Sequence, residues 1–586
     1  MAGDIFGIGT SGLLTSQRQL ATASHNISNV NTEGYTRQRA EQEARRPQFS
    51  GSGYIGTGVE VQTTVRLAND FLEEQIRNGN SQFGRFDAFH ALSTQIDNVL
   101  ANPDSGLTPT LESFFSALQE VNDNPSSTPA RQVLLTETNT LTDRFKLLDD
   151  RFIGLNNQVN QHLVDISQEI TDAARSIARL NADIVRKIGA GQGDMPNDLI
   201  DQREVLIKKI SENVDVSVVL QDDGAANLFI GSGQSLVIGA TSRAMSAQKN
   251  SFNAEDFDIM LTQITGSVNI TNQVSGGELQ GVLDFKSDVL ESSRRSLGRI
   301  AIALSEELNA QHQLGMTLQG TVAPFPMGGN FFTELSGILP AAAIQALPGQ
   351  ATSAGDYRIE INNSRVLSTS DYRLDFAGGN FTLTKLDDTT TTYTAASIAA
   401  LNTAMSAAEG FTIVETAAAA ANESFLIRPT FTAAANIGVE VNNVLDIALA
   451  GPIVSGAATN TGAALNSGTG EISLPSISNT TNIPLLSDIT LTFDPDALGV
   501  GIPGFTVVGG PGGILAYNPV SEFGGKTFSF AGFGDITFEI SGKPNLGDAF
   551  VISNNTSPYD DNRNGLLMAK LQTEKTLENS STDFQA

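Results

Sequence analysis

The 586-residue chain contains no cysteine and no tryptophan. Without cysteine there are no disulfides, no thiolate metal sites and no thiol nucleophile, and the redox compartment stays undecided. Basic residues are scarce: 35 Lys and Arg face 64 Asp and Glu, for a formal net charge of -29. Such a chain repels phosphate backbones and anionic lipid, which weighs against nucleic acid as a partner. No stretch approaches the roughly 18 unbroken apolar residues of a membrane helix, so no membrane partner is expected. The opening MAGDIFGIGTSG has neither a basic stretch nor a long apolar core. A cleaved secretory signal is therefore not expected, and an extracellular destination would need another export route.

Chemistry is equally thin. His25, His90, His162 and His312 stand singly, with no HExxH and no pair at ligand spacing, and no Gly-X-Ser-X-Gly turn occurs. Gly525-Lys526-Thr527 spells the end of a phosphate loop, but Val520 stands where the opening glycine belongs, which leaves a strand edge. Asp560, Asn562, Asn564 and Gly565 begin like a calcium loop, but Leu571 occupies the place of the bidentate glutamate. An Asn-capped helix start accounts for them better. No catalytic, cofactor-binding or metal residue is nominated, and an enzyme is not expected.

What the chain has is periodicity. In Ser11 to Gln38 the apolar residues Leu13, Leu20, Ala23, Ile27 and Val30 fall on one helical stripe that calls for a partner helix, and Asn29, Asn31, Thr32 and Gly34 stop the helix. An extended arm follows to Arg66, with Val59, Val61 and Val65 alternating as in a strand. A helix over 69–101 should bury Phe71, Leu72, Ile76, Phe83, Phe86, Phe89, Leu92, Ile96 and Val99, and end at Asn102-Pro103. The longest pattern runs from Pro129 to Ile188, with apolar residues three or four apart from Leu141 onward, as in a coiled-coil seam. Gly189, Gly191 and Gly193 break it before a return helix from Pro196 to Asn213.

The period then changes to two. Residues 214–275 read as a small β unit, and SGGELQGVLDF at 275–285 opens another helix ending near Asn309, His312 and Gly315. From 341 to 534, short strand-like runs alternate with Gly, Asn and Asp turns, and Ser397 is placed to cap a short helix. The expected fold is α+β multidomain, a long-helix coiled-coil bundle with inserted antiparallel β domains. Its expected segments are an axial helix and arm (1–65), a bundle (66–213), the β unit (214–275), a bundle helix and loop (276–340), an outer β-rich insertion (341–534) and a return segment (535–586).

The opening resembles that of bacterial flagellar axial proteins, in which a helix runs into an Asn-X-X-Asn-Val-Asn-Thr-X-Gly turn. Here Asn26, Asn29, Val30, Asn31, Thr32 and Gly34 match it. Ser24, His25 and Asn26, with Tyr35 to Gln38, are most similar to the hook-associated protein 1 family, which joins hook to filament. The Gly-Gly-Glu-Leu-X-Gly-X-Leu-Asp opening and the Asn-X-X-His-X-X-Gly closing support the same family over hook and rod proteins. The resemblance implies a structural, motility-related role by self-association in a helical ring, next to hook protein and a second junction protein. It also implies passage through the flagellar export apparatus, with an export chaperone, to an extracellular flagellum without a cleaved signal. It places Leu13, Leu20, Ile27, Val30, Asn26, Asn29, Asn31 and Gly34 at the assembly interface. The family's C-terminal helix is not found within these 586 residues, so the N-terminal helix is expected to be exposed or disordered when free. The rival expectations are another axial protein, or an adhesin binding glycans through the β insertion.

Overall fold

The computed structural model describes residues 5–49, 51, 53–100, 106–191, 194–250, 253, 255–264, 266–320, 325–335, 344–346, 356–418, 422–458, 466–577 and 580–584. The expected helix stop at Asn102-Pro103 and the breaker Gly193 lie outside them. The chain forms two compact units, residues 1–98 with 152–292, and 99–151 with 293–586.

The first unit opens with α1 (Ile5–Ser28) and an arm of β1 (Gln38–Ala44), β2 (Gln48–Phe49), β3 (Tyr54–Ile55) and β4 (Val59–Arg66). β1 and β4 pair antiparallel, as do β2 and β3 at the tip, so the extended arm is a hairpin ribbon. α2 (Asp70–Leu100) follows. Leu92 and Ile96 in its second half are buried as expected. Phe71, Leu72, Ile76, Phe83 and Phe86 correct the expectation, since all five are exposed. Their spacing makes a helical stripe, but spacing reports only that a stripe exists and not whether the same chain covers it.

After α3 (Leu107–Asp123), α4 runs unbroken from Thr128 to Ala190, and α5 (Asn197–Asn213) returns. The seam is real: Val159, Leu163, Ile166, Ile170, Ile177 and Ile184 are all buried. Two polar residues inside it dock the small β unit. Thr171 Oγ1 donates to the Met245 carbonyl at 2.9 Å and accepts the Met245 amide at 2.8 Å. Asn181 Nδ2 reaches the Ala226 and Gly239 carbonyls at 2.8 Å, and its Oδ1 accepts from Ala226 N and from Arg203 of α5. Buried amide and hydroxyl groups are stable only when satisfied, so these bonds set where the sheets sit. Those sheets are β5 (Val216–Leu220), β6 (Ala226–Ile230), β7 (Gln234–Ile238) and β8 (Thr241–Ser242) in sequential order, and β9 (Met245–Lys249), β10 (Phe257–Gln263) and β11 (Gly266–Asn269) in the order β11-β10-β9.

α6 (Gly277–Asp284) then continues through a π-helical stretch, Phe285–Glu291, into α7 (Ser292–Gln313). The glycines of the SGGELQG motif let backbones touch. A Cβ on Gly281 would collide with the Arg85 carbonyl of α2, and one on Gly277 with the Asn213–Val214 peptide after α5. Arg85 also pairs with Asp284 at 2.7 Å, and His162 with Glu278 at 2.8 Å.

In the second unit the closing motif is a clamp. Asn309 Oδ1 accepts the Phe331 and Phe332 amides, both at 2.8 Å, while its Nδ2 donates to the Phe332 carbonyl at 3.0 Å. His312 is fully buried, its Nδ1 2.8 Å from the Gly329 carbonyl and its Nε2 accepting the Ala448 amide at 2.9 Å. An acceptor at Nε2 and a donor at Nδ1 define one neutral tautomer. Arg131, also buried, holds the Pro125, Val444 and Ile447 carbonyls.

The β-rich region divides in two. One five-stranded sheet has the order 344–346, 423–427, 372–377, 380–385, 392–395, beside a 356–361 and 411–417 pair and α8 (Ile398–Glu409), whose first turn Ser397 caps at Ala400 N. After α9 (Ala433–Asn436), a second five-stranded sheet and a three-stranded sheet enclose Phe493, Phe505, Tyr517, Phe530, Phe538 and Phe550. Ile536–Ser541 and Ala549–Asn554 are strands of these sheets, so the expected boundary at 534 falls inside them. Alternating Phe-Val-Ile in 550–552 is what a central strand requires, and hydrogen bonding to residues 453–457 and 489–494 satisfies both its edges. α10 (Arg563–Lys570) closes against α3, where Asn562 donates to the Asn122 carbonyl at 2.7 Å.

Two measurements test these contacts. Gly281→Ala should lower stability by about 2 kcal/mol or more in urea unfolding, the scale of a core overpacking defect. Burial holds His312 at about 4, below its ordinary 6.5. The unfolded chain therefore binds the extra proton as pH falls from 6.5 towards 4, and stability drops across that window by roughly 3 kcal/mol. His312→Gln should flatten that part of the pH profile.

Candidate functional site

α1 lies on its own arm, but with the polar side inward. Its only buried residues are Ser11 and Thr15. Ser11 Oγ donates to the Ile8 carbonyl at 2.8 Å and accepts the Val59 amide at 3.2 Å. Gly58, at φ +105°, sits where a Cβ would strike Ser11. The four apolar residues of the expected assembly interface face outward instead: Leu13 is 70% exposed, Leu20 68%, Ile27 75% and Val30 73%. Within α1 the only formally charged side chain is Arg18, so little opposes desolvation of this face.

The asparagine turn holds the helix to the arm. Asn26 Oδ1 accepts the Tyr35 hydroxyl at 2.8 Å and the Gln38 amide at 2.9 Å, and its Nδ2 donates to the Gln38 carbonyl at 2.9 Å. One side chain thus satisfies the first residue of β1 as a neighbouring strand would. Since the Tyr35 hydroxyl donates to Asn26, it accepts from His25 Nδ1, 3.0 Å away. Burial and the nearby Asp198 and Asp201 push the Tyr35 hydroxyl above its ordinary pKa, so it stays a donor. Asn29 donates to the His25 carbonyl at 3.1 Å and accepts from Thr32 at 3.2 Å. Gly34, at φ +70°, is required because a Cβ there would collide with Val205. Asn31 is exposed.

Spacing alone did not reveal the anchor beneath this turn. Asp201 of α5 accepts from the Thr36 amide at 3.0 Å and from Arg66 Nε at 2.8 Å. Asp198 accepts from Gln38 at 3.0 Å, and Asn197 Nδ2 donates to the Thr64 carbonyl at 2.7 Å. The available signal was the run Asn197-Asp198-X-X-Asp201, but acidic residues opening a helix read equally well as dipole partners. The histidines have structural partners or, at His90, lie exposed, and among the described residues no group of three His, Asp or Glu could hold a metal ion.

The sequence model of the Flagellar hook-associated protein FlgK helical domain matches residues 93–332, and that of the D2-like domain of Flagellar hook-associated protein 1 matches 349–429. Flagellar hook-associated protein 1 of Salmonella typhimurium is 31% identical over 442 residues, covering 75% of this chain and 77% of that one. This chain belongs to the flagellar hook-associated protein 1 family. The Escherichia coli relative is likewise 31% identical over 444 residues, covering 75% and 78% of the two chains. The fold of this hook-associated protein 1 family member is similar to that of the flagellar hook junction protein FlgK from Burkholderia pseudomallei, with a TM-score of 0.73 at 23% identity, covering 87% and 93% of the two chains. Residues 6–36, which hold α1 and the asparagine turn, match the model of the Flagella basal body rod protein.

Asn26→Ala removes three hydrogen bonds, each worth about 1 kcal/mol. Hydrogen exchange should report rapid exchange at the Gln38 amide and loosening of α1 from the arm, with the α4 core protected as before.

Proposed function

We propose that the chain is a structural subunit of the flagellar junction between hook and filament, and that it joins its neighbours through the outward face of α1. Family membership supports the flagellar, structural role. The observation that carries the assembly surface is the run of exposed apolar side chains at Leu13, Leu20, Ile27 and Val30, fixed in place by a polar inner face. Three apolar residues on one face of α1, with Val30 in the turn just past its end, each forgoing roughly 1.5–3 kcal/mol of burial, are stable partners for an apolar helix and poor partners for water. Asn26, Asn29 and Gly34 act one step removed, by fixing the direction in which that helix leaves the arm.

Assembly of this kind is self-association in a helical ring, with the hook protein on one side and a second junction protein on the other. A chain bound for the cell exterior without a cleaved signal would travel through the flagellar export apparatus, accompanied by an export chaperone that shields apolar faces such as that of α1. Adaptation between two polymers needs repeated, slightly unequal packing contacts and no reaction centre, which fits a structural role without enzymatic activity.

Deleting the gene should leave assembled hooks and shed filaments into the medium. Leu20→Asp with Ile27→Asp should reproduce that phenotype while changing the urea midpoint little, because both sites are exposed. Normally attached filaments in the double variant would rule α1 out as the assembly surface.

A further inference from the structure

The hairpin tip of the arm is a second exposed apolar feature, and its chemistry differs from that of α1. Phe49 and Tyr54 face each other across β2 and β3 with ring centroids 5.5 Å apart, yet they are 63% and 76% exposed. Ile55 beside them is also exposed. Residues 44–58 contain Arg45 and Arg46 and no acidic residue, in a chain of net charge -29; Arg45 is paired with Glu60 of β4 at 3.3 Å, which leaves Arg46 as the charge the tip can offer a partner. An aromatic-ended ribbon carrying a cation is built like a probe.

A matching receptacle lies elsewhere in the same unit. A pocket of about 370 Å³ is walled by Phe71, Val218 and Leu220 and rimmed by Asp70 and Glu74. Its wall includes β5, an edge strand of its sheet, whose outer backbone groups have no ladder partner among the described residues. In the pocket floor Arg77 is only 9% exposed, and its Nε has no hydrogen-bond partner among the described residues. Glu204 Oε2 faces Arg77 Nη1 at 3.7 Å, an ion pair too long to be a hydrogen bond, and has no hydrogen-bond partner among the described residues. Burial raises the Glu204 carboxyl above its ordinary pKa. A buried donor and acceptor left apart in this way suit an incoming group that can bond both, such as a phenol or a peptide group.

We propose that the arm tip of one copy docks into the β5-edge pocket of a neighbouring copy, Phe49 and Tyr54 entering the apolar wall and Arg46 meeting the Asp70 and Glu74 rim. Opposite charge selects this pairing over tip to tip, where arginines would oppose each other. Tip and pocket are different surfaces, so the contact is heterologous and propagates into a ring or helix instead of closing as a dimer. The docking rests on the self-assembly reading above and gives it a second contact, independent of α1.

The absence of native cysteine makes a direct test clean. Gln48→Cys and Ala68→Cys, both at exposed positions beside the contact, are expressed together, and isolated hook-filament structures are oxidised. The expected result is a disulfide-linked dimer that needs both variants and is missing with either alone. Attached filaments without that dimer, or a dimer formed by Gln48→Cys alone, overturn the docking and leave the junction role standing; filaments shed by cells carrying the unaltered chain would count against the junction role itself. If the cysteine variants do not assemble, charge reversal decides: Arg46→Glu should lower filament attachment at least tenfold, and Glu74→Arg in the same chain should restore it. A Glu74→Arg change that brings no recovery overturns the proposal.

Discussion

The structure depends on an inverted helix. An amphipathic helix normally turns its apolar face to the body that carries it, yet α1 meets its arm through Ser11 and Thr15 and leaves Leu13, Leu20, Ile27 and Val30 in solvent. The hydrogen bond from the Val59 amide to Ser11, the close approach permitted by Gly58, and the three bonds of Asn26 hold that orientation. Below them, Asp201 ties the exit of the turn and the end of β4 to α5 through Thr36 and Arg66. Polar geometry thus fixes what the hydrophobic effect alone would reverse.

The same device recurs through the molecule. Thr171 and Asn181 interrupt the apolar seam of α4 and in doing so locate two sheets, while Asn309 and His312 end α7 by gripping the Gly329 to Phe332 stretch and Ala448. Glycine supplies the complement, at Gly281 and Gly277, where helices come close enough that any side chain would collide. Buried polar groups with every partner present specify one arrangement among many apolar ones, which suits a subunit that must present defined surfaces to its neighbours.

Much of this was legible from residues alone where periodicity and capping chemistry act locally. The long α4 seam, the return helix, the alternating arm and the Ser397 cap emerge within a residue or two of expectation. Three features were not legible, each for a physical reason. The stripe on the first half of α2 was visible, but periodicity carries no information about whether the covering surface belongs to the same chain, and exposure of the α1 stripe was expected only through the family resemblance. Strand 549–554 pairs with 453–457 and 489–492, and strand 536–541, besides its local hairpin with 526–530, pairs with 471–472; such non-local pairing leaves no trace in spacing. The role of Asp198 and Asp201 depends on the arm folding back onto α5, a contact over more than a hundred residues of chain. The motif residues Asn26, Asn29 and Gly34 could be named from the sequence, yet their function as staples became apparent only with Gln38, Thr32 and Val205 beside them.

The central claim is that the outward face of α1 is held uncovered in the free chain so that assembly can bury it. Hydroxyl-radical footprinting of the free chain and of isolated hook-filament structures addresses it side chain by side chain. Leu13, Leu20, Ile27 and Val30 should label strongly in the free chain, and all four should be protected in the assembled structure. Equal labelling of these residues in both states would contradict it.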